Sequence, residues 1–186
     1  MIAAALATAV LGLACSGPQL AGTVLSPTPA PEFTLSDAVG GGSLSLSSLR
    51  GSAVALTFLY TRCPDSCPLT AEHFREAQRL LASDAERVTF VAVSVDPEGD
   101  TPQSVRAFTD DHRLRERWHY LIGPRGSLAA VWTAYGIGAF ADPSGKPSVS
   151  HNDAIYLIDP QGRERALLHA SNSAQELATS LRALLR

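Results

Sequence analysis

Two cysteines separated by three residues carry the clearest chemistry in this chain: Thr61-Arg-Cys63-Pro-Asp-Ser-Cys67-Pro. Val54 to Tyr60, just before them, is a near-continuous apolar run, as expected of a strand buried on both faces. Just after them, Pro68 to Ser83 has helical spacing, with Leu69, Phe74, Ala77, Leu80 and Leu81 along one side. The thiols therefore belong at a strand-to-helix junction. Backbone N–H groups and the helix dipole favour negative charge there, so lowered thiol pKa values and a raised thiolate fraction are expected. If the segment winds into helix, the thiols lie about one turn apart, close enough to share a ligand or to oxidise together. A structural disulfide or two ordinary buried thiols would have the same spacing. Pro64, Asp65, Ser66 and Pro68 instead predict an exposed turn, which favours chemistry.

The other polar candidates have simpler readings. Asp96 and Asp100 lie in Ser94-Val-Asp-Pro-Glu-Gly-Asp-Thr-Pro102, where an Asp-Pro turn and helix capping account for them, although either could support the cysteine site from behind. His73, on the helix after Cys67, and His112 and His119, among arginines, read as solvated surface histidines. His169 ends an edge strand without a partner by spacing. Arg113, Arg115 and Arg117 read as a solvated helix face, and Trp118 and Trp132 as packing residues. Met1 is the only methionine, which excludes a thioether-rich metal site.

The elements that must position the cysteines follow from patterning. Phe33-Thr-Leu and Ser43-Leu-Ser-Leu flank three glycines and predict a hairpin. Val88 to Val95 is a second buried strand, and Thr101 with Pro102 opens a helix as N-cap and first residue. Tyr120 to Ile122 predicts a short strand, and Ser127 to Tyr135 a helix ended by Gly136. Ala154 to Ile158 is a third apolar strand; Asp159-Pro-Gln-Gly162 turns the chain into a strand through Leu168, and an amphipathic helix from Ser173 to Leu185 closes it. This order predicts an α/β sheet with helices on both faces and one antiparallel edge.

Composition narrows the function classes. The 186 residues are 45% hydrophobic and 18% charged, with 15 Lys and Arg against 18 Asp and Glu, a net charge of −3. A disordered chain of the charged kind is excluded, and no basic footprint points to nucleic acid. Residues 1–15 read as an export segment: Met1 to Ala14 lacks any charged side chain and is too short to span a bilayer comfortably. Cys15 follows at once, an arrangement resembling a bacterial lipoprotein signal in which the cysteine is lipidated; Gly12 and the absence of a preceding Lys or Arg depart from that pattern. A simple signal peptide is the alternative. Residues 16–32, with Pro18, Pro27, Pro29 and Pro31, predict an extended tether. A single domain over 33–186 follows.

Cys63-Pro-Asp-Ser-Cys67-Pro after an apolar strand resembles the signature of the SCO/SenC family of thioredoxin-like copper proteins. Ser94 to Pro102 resembles its Asp-Pro…Asp-Thr-Pro segment, and Ser150-His151-Asn-Asp-Ala-Ile-Tyr-Leu-Ile-Asp-Pro-Gln-Gly162 its histidine, aliphatic strand and turn. The resemblance implies a thioredoxin-like fold with a central mixed sheet and an N-terminal β-hairpin extension. It implies one copper ion held by Cys63, Cys67 and His151, and delivery to the binuclear copper centre of a cytochrome c oxidase subunit or to another copper chaperone. With the export segment, it places the protein in the bacterial cell envelope, anchored through lipid on Cys15. Two thiolates and an imidazole are a soft, low-coordinate set that suits Cu(I) and accommodates Cu(II). No further ligand stands at zinc spacing.

Three other readings share these residues. In a thiol–disulfide oxidoreductase, Cys63 would attack a partner disulfide and Cys67 would resolve it. A peroxiredoxin-like peroxidase fits the fold better than the site, since Thr61 lies two residues before Cys63 rather than three. A copper or redox sensor would use the same pair.

Overall fold

A computed structural model of the chain describes residues 19–64, 66–114, 116–138 and 153–186. The long apolar runs form the middle of an eight-stranded sheet. β4 (Ala53–Leu59) and β5 (Val88–Ser94) are buried along their whole length and pair in parallel, and β6 (Trp118–Ile122) continues the parallel set. β7 (Ile155–Ile158) and β8 (Arg163–Leu168) run antiparallel on one flank. On the other lies the hairpin of β2 (Thr34–Asp37) and β3 (Ser43–Ser45). Antiparallel pairing thus borders the parallel centre on both sides, where one such edge was expected.

The proline-rich stretch differs most from expectation. Thr23–Pro29, within the predicted tether, is strand β1, which covers β8 in an irregular register, so the sheet extends upstream of Phe33. The full order is β1-β8-β7-β4-β5-β6-β2-β3. An edge strand tolerates Pro27 and Pro29 because its outer N–H positions need no partner.

α1 (Ser66–Leu81), α2 (Pro102–Asp111), α3 (Arg125–Ala134) and α4 (Ala174–Leu184) cover both faces. On one face, Phe74 of α1 packs on Phe90 and Trp118 at centroid distances of 5.0 and 6.1 Å. On the other, Tyr135 beyond α3 packs on Phe58 at 5.6 Å. The caps follow the sequence: Thr101 and Ser104 form a capping box on α2, as do Ser173 and Glu176 on α4. Both tryptophans are buried, their indole N–H groups donating to Thr109 Oγ1 and to the Ser94 carbonyl.

The hairpin glycines meet a backbone demand, since Gly41 and Gly42 both take positive φ. Beside them Asp37 is buried against His119, with 2.7 Å between His119 Nδ1 and Asp37 Oδ2. Burial alone would raise the Asp37 carboxyl, but hydrogen bonds from His119, Val39 N–H and Gly40 N–H outweigh it and hold it below its usual value. A carboxylate depressed on folding adds stability above its unfolded pKa of about 4, and loses it as pH falls through the folded value. Asp37→Asn should therefore lower the urea midpoint at neutral pH and flatten its decline between about pH 5 and pH 2. An acid titration parallel to the parent's would show that the pair contributes nothing.

The histidines are less solvated than expected. His112 is partly buried against Phe108 with Nδ1 3.3 Å from Glu72, and His73 is half-buried. His169 lies on Asp153 at 2.9 Å, a pairing invisible to spacing because it joins two loop ends, and β1 removes β8 from the sheet edge. Arg113 and Arg117 lie in the loop between α2 and β6, both with positive φ, rather than on a helix face. Arg115 lies outside the described residues. No helix among the described residues is long and apolar enough to cross a membrane.

Candidate metal centre

The carboxyl end of β4 delivers Tyr60, Thr61 and Arg62 to Cys63, and α1 begins three residues later. Cys67, at the second helical position, faces inward and has no exposed surface; Cys63, in the loop, is partly exposed. The two thiols are in hydrogen-bonding contact with each other, and the Tyr60 side chain also bonds to Cys63. Burial and the contact with Cys63 raise the Tyr60 hydroxyl to about 12.

The expected lowering of thiol pKa does not hold for Cys67. The hydrogen bond with Cys63 and then burial push the Cys67 thiol up, beyond what its backbone contact at Tyr60 offsets. The helix N-terminus is present, but the side chain points into the core, where ionisation is costly. The two cysteines are thus unequal: one partly exposed, one buried with its proton held more tightly. Iodoacetamide at mildly alkaline pH should label Cys63 first and Cys67 at least about tenfold more slowly. Equal rates by mass spectrometry would contradict this geometry.

The two aspartates do more than form a turn and a cap. Asp100 is buried behind the cysteine loop and accepts four hydrogen bonds: from Thr61 N–H at 2.9 Å, Thr61 Oγ1 at 2.8 Å, Ser94 Oγ at 2.6 Å and Tyr120 Oη at 2.8 Å. Burial raises its carboxyl above the usual range in spite of these donors. Asp96, also buried, takes the Gly99 N–H and holds the Arg62 guanidinium at 2.7 Å. The two residues before Cys63 are therefore each fixed by a buried carboxylate from the β5–α2 loop. Nothing in the sequence spacing marks Thr61, Arg62, Ser94 or Tyr120 for this role; the Asp-Pro…Asp-Thr-Pro segment is its only visible trace.

Among the described residues no group of three His, Cys, Asp or Glu side chains could hold a metal ion. Cys63 and Cys67 come together as expected, while His151 and Cys15 lie outside the described residues.

A mixed α/β sheet with an adjacent dithiol at the end of a central parallel strand, where α1 begins, defines a thioredoxin-like protein. Comparison with known proteins gives the family. The SCO1/SenC family model matches residues 25–186, and the chain belongs to that family. It is 30% identical over 125 residues to the SCO1 protein homolog of Bacillus subtilis, covering 66% of this chain and 65% of the relative. Its fold matches ScoI of Bradyrhizobium japonicum with copper bound at a TM-score of 0.74 and 29% identity, over 85% of this chain and 100% of that one. Apo Sco1 of Thermus thermophilus matches at 0.76 and 27%, over 91% and 99%. The chain spans 59 to 65% of the length of three of the curated relatives it matches.

Proposed function

We propose that this protein is a copper carrier of the cell envelope that delivers its ion to the binuclear copper centre of cytochrome c oxidase, or to another copper chaperone. The observation that carries this reading is the Cys63–Cys67 dithiol, one cysteine partly exposed and one buried, in a chain similar over 85% of its length to a ScoI with copper bound. Copper is the cargo. Two sulfur donors suit Cu(I), and His151 is the third ligand in this reading. Cys63 and Cys67 hold the ion, the Asp96 and Asp100 contacts keep their loop in place, and partner thiolates displace these ligands one at a time at the accessible Cys63 side. Lipid on Cys15, or the apolar run before it, supplies the anchor on the extracytoplasmic side.

A second activity is favoured by the inequality of the two thiols. The Cys63 thiolate would attack a sulfur of a partner disulfide, forming a mixed disulfide and releasing one partner thiolate. Cys67, giving up its proton, would then attack Cys63 Sγ and release the second. The chain ends oxidised and the partner reduced by two electrons, as an acceptor with oxidised copper-site cysteines requires. His151 separates the two activities, because exchange needs no imidazole. His151→Ala should lose stoichiometric copper binding while reducing a model disulfide at close to the parental rate. Undiminished copper affinity in that variant would refute the three-ligand site.

A further inference from the structure

The sheet register places the start of β1 at the end of the molecule that carries the dithiol. Thr23 pairs with Leu167, Leu167 with Tyr156, and Tyr156 with Leu56, so these four residues form one row across β1, β8, β7 and β4. From that row β4 runs forward to Cys63, whereas β1, antiparallel to β8, is followed backward towards the same end. The residues before β1 keep that direction. Ala21 N–H donates to Ser180 Oγ in the middle of α4 at 2.9 Å, and Gln19 to Ala21 line a shallow cleft with Gln175, Glu176 and Thr179, closer to the start of that helix. α4 begins beyond the carboxyl end of β8, and its last turn reaches the far end of α1, where Arg182 meets Asp84 and the Leu80 carbonyl. Followed backward as far as Gln19, the chain climbs α4 towards the dithiol end.

Only Ser16, Gly17 and Pro18 separate Cys15 from Gln19. Four fully extended residues span at most about 14 Å, so the long tether expected from composition shrinks to a short spacer. We infer that the dithiol end of the sheet faces the lipid surface and is held within one short spacer of it. This rests on the reading that the N-terminus is a membrane anchor, and it holds whether the anchor is an acyl chain on Cys15 or the apolar run ending at Ala14. The consequence is an acceptor site at the membrane face, reached without the carrier reorienting.

The test uses the full chain, isolated with its anchor and reconstituted in phosphatidylethanolamine–phosphatidylglycerol vesicles. Donor dyes are installed through a noncanonical residue at Glu98, exposed at the dithiol end, or at Ser83, exposed at the opposite end, with an acceptor dye on the lipid headgroups. The two ends are separated by roughly the length of the 16-residue α1, about 24 Å. Transfer to the bilayer should be greater from Glu98 than from Ser83, by about twofold or more. A flexible Gly/Ser insertion of about 20 residues after Gly17 should make the two equal. Equal transfer without the insertion, or greater transfer from Ser83, overturns the inference while leaving the anchor in place. Failure of the native chain to float with the vesicles, together with a mass showing neither acyl group nor apolar run, overturns the anchor itself and the orientation with it.

Discussion

Replacing Asp100 with alanine is expected to cost about 3–5 kcal/mol of folding free energy, because it strips the acceptor from a buried four-donor network. Thr61 N–H cannot find another partner without moving the loop that carries Cys63, and Tyr120, fully buried, cannot turn to water. Asparagine should cost far less. Its oxygen can take the Thr61 N–H, and its NH₂ can face Ser94 and Tyr120, whose hydroxyls accept as readily as they donate. Urea denaturation of the two variants should therefore rank alanine well below asparagine. An alanine variant within about 1 kcal/mol of the parent would show that the carboxylate does not hold the loop.

The second large effect concerns the buried sulfur. Under the proposed carrier reading, Cys67→Ser exchanges a soft thiolate for a hydroxyl that Cu(I) binds poorly, and affinity should fall by more than the roughly 10–100-fold that loss of an outer partner causes. The fold should survive, since serine is near in volume to cysteine and sits in the first turn of α1, where Asp100 and Asp96 still fix the loop. Competition with a Cu(I) chelator of known affinity checks the loss, and circular dichroism checks the fold. Near-parental affinity in a folded variant would exclude Cys67 as a ligand.

What the sequence disclosed was local. The apolar runs at Val54 and Val88, the Thr101 cap and the turn at Asp159 each lie within a few residues and appear in the structure as expected. The cysteine pair was legible for the same reason. What escaped depends on contacts across the sheet. Tyr120 reaches Asp100 from a neighbouring strand, Asp153 meets His169 from another loop, and no spacing rule encodes either. β1 was hidden because Pro27 and Pro29 look like a tether until β8 provides a partner for the strand's inner side. The Cys67 thiol departs from expectation because the helix N-terminus can be read from sequence, whereas the inward direction of a side chain in a packed first turn cannot.

The most direct test of the copper-carrier account is X-ray absorption at the copper K-edge, on the reduced full chain loaded anaerobically with an equimolar amount of Cu(I). The account predicts a low-coordinate first shell with two sulfur scatterers and one imidazole nitrogen, which loses one sulfur in Cys63→Ser and in Cys67→Ser and loses the imidazole in His151→Ala. A parent shell made only of nitrogen and oxygen, or one unchanged in all three variants, would contradict it.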